Sequence, residues 1–125
     1  MNDMTTKVHT PLIRAEKVIG TNVYNHAGEK LGSIEDVVLD KKTGRAVYAT
    51  MAFGGFLGLG DKHHHLPWSM LKYDSVKDGY LTNLTKESLT DAPGFNDGAD
   101  DFKWTSDYGR RVDSFYRSPS YWDGI

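Results

Sequence analysis

Three consecutive histidines, His63, His64 and His65, come nearest in type and spacing to a chemical function in this chain. On an extended strand alternate side chains share a face, which sets His63 and His65 about 7 Å apart on one side and turns His64 to the other. Two imidazoles so placed can share a metal ion such as zinc, and Asp61 is close enough in sequence to join them. A working metal site needs a third or fourth convergent donor, and the neighbouring sequence supplies no other. The competing reading sets these histidines on a strand surface or at a subunit contact, with His64 facing a partner, where protonation at about pH 6 would tune association.

The other constellations that could carry chemistry fall short. Gly55 to Gly60 has the glycine spacing of a phosphate-binding loop, but Asp61 stands where its lysine belongs, Lys62 comes one place late and no Ser or Thr follows. An anionic residue there repels phosphate. The segment reads instead as an apolar flap whose Phe56, Leu57 and Leu59 cover the core or a partner chain. Ser69 sits in Pro67-Trp68-Ser69, outside any Gly-x-Ser-x-Gly elbow, and suits a cap for the short turn that follows. Glu35 and Asp36 are adjacent, so a strand sends them to opposite faces and they form no acid-base pair. Trp68 suits a core or interface anchor. No catalytic residue, nucleotide or cofactor is expected, and the chain reads as a non-enzymatic protein.

The elements that must position these residues are short and extended. Residues 21–24 lead into the glycine turn Asn25-His26-Ala27-Gly28, and a second strand starts at Lys30. Its apolar positions, Leu31, Ile34, Val37 and Val38, are unevenly spaced, which a β-bulge reconciles. Asp40-Lys41-Lys42-Thr43-Gly44 supplies a hairpin loop with Gly44 in the left-handed conformation. Beyond it Val47, Ala49, Met51 and Phe53 alternate with Ala46, Tyr48, Thr50 and Ala52, as in a strand covered on both faces. Residues 62–66 form another strand, stopped by Pro67. Residues 73–76 and 80–84 form a hairpin around Lys77-Asp78-Gly79, and Thr85 caps a short helix through Leu89. Six short strands with regular turns predict a mainly all-β chain folded as a small antiparallel barrel or sandwich.

The last third differs. Eight of the fifteen aromatic residues lie beyond Asp91, a density that disordered tails lack. Tyr108, Val112, Phe115 and Tyr116 fall on one face of a helix that starts near Ser106 or Asp107 and is weakened by Gly109. Arg110, Arg111 and Arg117 give that helix a solvated basic side. With 125 residues and 38% apolar content, one core is expected. It divides as an N-terminal arm over residues 1–11, a β domain over 12–95 and an aromatic extension with a short helix over 96–125.

Charge and composition narrow the partners. Fifteen Lys and Arg against seventeen Asp and Glu, a net charge of -2, argue against DNA and disfavour RNA. The absence of cysteine excludes thiolate catalysis and cysteine-held metals. Residues 1–10 lack the apolar run of a signal peptide and no run of about 18 apolar residues occurs, so a cytoplasmic protein without a transmembrane segment is expected.

Taken in order, Ile19-Gly20, Gly28 with Leu31-Gly32, Ile34-Glu35-Asp36, the Asp40 to Gly44 turn with Val47-Tyr48-Ala49, Phe53-Gly54-Gly55-Phe56-Leu57-Gly58, Asp61-Lys62 and Leu66-Pro67-Trp68-Ser69 with Leu71 resemble the PRC-barrel domain. Ala92-Pro93-Gly94-Phe95, Tyr116 and Tyr121-Trp122 are similar to longer free-standing bacterial members. That family includes the cytoplasmic part of the photosynthetic reaction centre H subunit and part of a ribosome-maturation factor. The resemblance implies a small β-barrel that docks to protein partners and has no common active site. Neither a transmembrane helix like that of the H subunit nor a preceding domain like that of the ribosomal factor is seen. The expected role is therefore that of a homodimeric binding or assembly module docking to a protein partner, with peripheral association to a membrane complex of the reaction-centre kind open. Contact surface is expected from Phe56, Leu57, Leu59, His64, Trp104, Tyr108, Phe115, Tyr116, Tyr121 and Trp122. The alternatives are a small metal-binding protein using His63 and His65, and a ribosome- or RNA-associated factor.

Overall fold

The computed structural model of the chain describes residues 10–53, 63–95 and 102–123. A single helical turn, α1 (Ala15–Val18), precedes β1 (Asn22–Asn25), β2 (Lys30–Leu39) and β3 (Ala46–Phe53). After β4 (His63–Pro67) come a 3-10 turn (Trp68–Met70), the hairpin β5 (Lys72–Asp74) and β6 (Gly79–Thr82), then α2 (Lys86–Thr90), β7 (Gly94–Phe95) and α3 (Ser106–Phe115).

The turns form where local chemistry demands them. Asn25 is buried; its Oδ1 accepts from the amides of Ala27 and Glu29 at 3.0 and 2.9 Å, folding the chain back into β2. Asp40 does the same at the next reversal, accepting from Lys42 and Thr43 at 2.8 and 3.0 Å, and Gly44 takes the left-handed φ of 76°. In the third hairpin Asp74 accepts from Val76 and Lys77, and the left-handed residue is Asp78. Thr85 and Ser88 exchange bonds in a capping box that starts α2. The expected bulge in β2 lies between Ile34 and Asp36, so Glu35 is the extra residue of that strand.

All seven strands form one sheet in the order β5-β6-β1-β2-β3-β4-β7. The expectation of a purely antiparallel barrel is corrected in two respects. β1 and β6 run parallel, pairing Val23 with Tyr80 and Asn25 with Thr82, because the chain passes through β2 to β5 before returning to the free side of β1. The sheet is also open: among the described residues no ladder joins β5 to β7. Its edges are blunted by shortness, three residues in β5 and two in β7, which substitutes for closure. β7 is a seventh strand where six are expected from the sequence, since Gly94-Phe95 behind a proline carries no strand pattern of its own.

One core holds the sheet to the helices. Val23, Leu31, Ile34, Ala49, Met51 and Leu66 from the strands pack with Leu89 of α2 and with Val112 and Tyr116 at α3. The two helices thus belong to the same buried cluster as the strands. β3 is covered on both faces as expected: Tyr48, Ala49, Thr50 and Met51 are all buried in succession. Among the described residues no helix is long and apolar enough to cross a membrane.

Candidate functional site

The pairing of β3 with β4 sets Thr50 opposite His65 and Tyr48 opposite Pro67, so Tyr48, Thr50 and His65 share the sheet face away from Ala49, Met51 and Leu66. Residues 102–123 cover this face. Trp104 stacks on Tyr48 with ring centres 4.6 Å apart and lies 4.4 Å from His65, and Phe102 and Tyr108 complete the aromatic cluster around that histidine.

Five polar bonds fasten the cover. The Tyr48 hydroxyl donates to Asp113 Oδ1 at 2.8 Å, and Trp122 Nε1 donates to the Tyr48 oxygen at 2.9 Å. Asp113 Oδ2 accepts the Tyr121 amide at 3.0 Å, and the Tyr121 hydroxyl donates to Asp40 in the β2–β3 turn. His65 Nδ1 and the Tyr108 hydroxyl are hydrogen-bonded at 2.9 Å. Asp113 is buried, and each of its carboxylate oxygens has a donor, the arrangement a buried carboxylate needs.

The same burial fixes the protonation states. Desolvation holds the Tyr48 phenol far above its ordinary pKa, and the bond to Asp113 adds to that, so Tyr48 stays a donor. Burial likewise pushes Tyr108 up to about 12 and raises Tyr116. His65 is driven down to about 3, first by desolvation and then by His64 and His63 beside it, and is neutral at ordinary pH. Asp40 is held below the usual carboxylate value by the Tyr121 hydroxyl and by the amides of Thr43 and Lys42. Groups held in these states act as a clamp between sheet and C-terminal segment.

The histidine strand separates three neighbours into three settings. His63 Nδ1 lies 2.5 Å from Glu35 Oε1, which the β2 bulge brings to it. His64 is fully buried on the core side, and His65 is enclosed by Phe102, Trp104 and Tyr108. Among the described residues no three His, Asp or Glu side chains converge as a metal would require. Asp61, Phe56, Leu57 and Leu59 lie outside the described residues.

The remaining expected contact residues are located as follows. Trp104, Tyr108, Tyr121 and Trp122 pack on the chain's own sheet, and Tyr116 enters the core. Phe115, on the same helix, is 37% exposed. Ser69 lies inside the 3-10 turn instead of capping it. It lines a cleft of about 620 Å³ with Asp40, Arg45, Trp68, Asp113 and Tyr121, where no histidine is present to serve as its base.

Two residues of the clamp carry weak sequence signals. Asp113 follows Val112 beside the apolar stripe of α3, and a carboxylate buried there requires a donor. Gly109 looks like a defect in a helix. A Cβ at that position would stand 2.0 Å from Trp122 Nε1, so the indole occupies the space the glycine leaves.

The search of curated proteins finds no match to this chain. The family profile described as the PRC-barrel domain matches residues 11–89, the stretch from the arm before α1 through β6 into α2. With most of its length matched in one run, the chain belongs to the PRC-barrel domain family.

Proposed function

We propose that this PRC-barrel protein is a non-enzymatic binding or assembly module of the cytoplasm that forms a homodimer and docks to a protein partner. The observation that carries this reading is the division of labour among its side chains. Tyr48, His65, Asp113 and Trp122, the groups best equipped for chemistry, are engaged in clamping the C-terminal segment. Large apolar side chains stand outside instead: Leu12, Ile13, Ile19, Leu39, Tyr73 and Val76 are exposed. A body whose Tyr48, His65, Asp113 and Trp122 are bonded within while apolar side chains stand outside is suited to contact, not turnover. The family resemblance extends the partner to a membrane-associated complex of the reaction-centre, electron-transport kind. Sedimentation velocity over a wide concentration range tests the first part. A dimer weakened by the Leu12→Asp/Ile13→Asp variant is expected, and a monomer at every concentration together with no protein captured by crosslinking from native lysate would refute the reading. The metal-binding alternative loses support, since His63 and His65 are engaged by Glu35 and Tyr108.

A further inference from the structure

Phe115 is the aromatic residue of α3 that the core does not take up, and it stands between two clefts. On one side a cleft of about 720 Å³ is bounded by Asp91, Ala92, Pro93 and Gly94 across from Arg110, Arg111 and Ser114. On the other a cleft of about 350 Å³ runs between Leu84, Thr85 and Ser88 and the end of α3 at Tyr116 and Arg117. Phe115 lines both. The three arginines are exposed, and Asp91 is the sole carboxylate among the residues that line either cleft. Arg110 has Asp123 at 4.0 Å, a pair too exposed to neutralise it, and Arg111 and Arg117 have no ion-pair partner among the described residues. A chain of net charge -2 thus gathers three cations around one exposed ring.

Arg117 adds an independent observation. α3 ends in a Schellman motif, with the Ser118 amide bonded to the Asp113 carbonyl at 2.9 Å and the Arg117 amide to that of Ser114 at 3.1 Å. The left-handed position of this motif is ordinarily glycine, yet Arg117 occupies it at φ 56°. Arginine at this position forgoes the glycine preference of the left-handed conformation and sets an exposed cation beside the smaller cleft.

We infer that the Phe115 ridge and its flanking clefts form the docking surface for an acidic protein segment that carries an apolar anchor side chain. The carboxylates of such a segment meet Arg110 and Arg111 on one side and Arg117 on the other. The anchor packs on Phe115, where both clefts open. Arginines around an aromatic ring favour this occupant over a purely apolar one, because burying three guanidinium groups, two of them without an ion-pair partner among the described residues, under a neutral surface is costly. The inference deepens the binding-module reading by giving its protein partner a chemistry and a place.

The test uses the full chain and a fluorescein-labelled peptide of glutamates with one central phenylalanine, followed by fluorescence anisotropy. Binding is expected to weaken with salt, to fall about tenfold when the peptide phenylalanine is serine, and to fall about as much for Phe115→Ser. Arg110→Gln/Arg111→Gln/Arg117→Gln should abolish it, with circular dichroism confirming the fold. Binding unaffected by either variant would overturn the inference, as would tighter binding of single-stranded RNA or of phosphatidylserine vesicles at the same arginines. If the peptide fails while the chain still dimerises in sedimentation, this surface is wrong and the module reading stands; loss of both removes both.

Discussion

Gly109 of α3 and Trp122 at the end of the described chain are in van der Waals contact so close that a methyl group on the former would overlap the indole of the latter. The indole lies across the helix at that point and reaches through to Tyr48 with its N–H. The contact explains why the most permissive residue sits in a helix interior, where it costs about 1 kcal/mol of propensity relative to alanine.

Gly109→Ala should therefore destabilise the protein despite improving the helix. Displacing Trp122 breaks its bond to Tyr48 and its stacking on Trp104, a loss of about 2 to 4 kcal/mol against the propensity gain. Urea unfolding followed by tryptophan fluorescence measures this, and a variant as stable as the parent would show that the indole does not hold this place in solution.

Tyr48→Phe removes one oxygen and leaves two buried groups, Asp113 Oδ1 and Trp122 Nε1, without that partner. A cost of about 2 to 4 kcal/mol is expected. Because the clamp acts as a unit, the double variant Tyr48→Phe/Asp113→Leu should cost less than the two single changes together. Additive values in a double-mutant cycle would contradict the shared bond.

His65 makes stability depend on acid. Its folded value of about 3 lies below the unfolded value of about 6.5, so as pH falls below 6.5 the unfolded chain takes up a proton that the folded chain refuses. The contribution of a neutral His65 is fully present above that pH and is lost progressively toward pH 3, at up to about 1.4 kcal/mol per pH unit. His65→Gln can keep a bond to Tyr108 and cannot titrate. Its stability should fall less than the parent's between pH 6.5 and 4.5, and parallel curves in chemical denaturation would exclude burial of this imidazole.

Arg117→Gly should leave stability unchanged or raise it by up to about 1 kcal/mol, since glycine relieves the left-handed strain and adds unfolded-state entropy in partial compensation. A clear loss in thermal melting would mean that the arginine side chain supports the fold. That result would also remove one leg of the docking argument.

How far the fold could be read depended on how local its causes are. The Asp40 and Asn25 reversals and the Thr85 cap are written in neighbouring residues and stand where the spacing puts them, while the uneven spacing of β2 announces a bulge that only the pairing with β3 locates at Glu35. The parallel partnership of β1 with β6 is set by a pairing 57 residues apart, for which Val23 and Tyr80 offer no mutual signal. α3 starts at Ser106, one of the two positions the sequence offers, with Thr105 before it as the cap. Phe115 fits the apolar stripe by count yet is partly exposed, since the stripe drifts around the helix and the core takes Val112 and Tyr116 first. The clamp itself was the least legible part: a buried aspartate declares itself only once Tyr48, sixty-five positions earlier, is seen to face it.

The covered outer face of β3 and β4 also has a history in time. Its aromatic lid follows both strands in the chain, so Tyr48 and His65 emerge from the ribosome bare, next to an already pairable hairpin. A nascent chain halted before Trp122 would present a sticky, half-dressed sheet to chaperones and proteases, and emergence of Tyr121 and Trp122 is what releases it from that scrutiny.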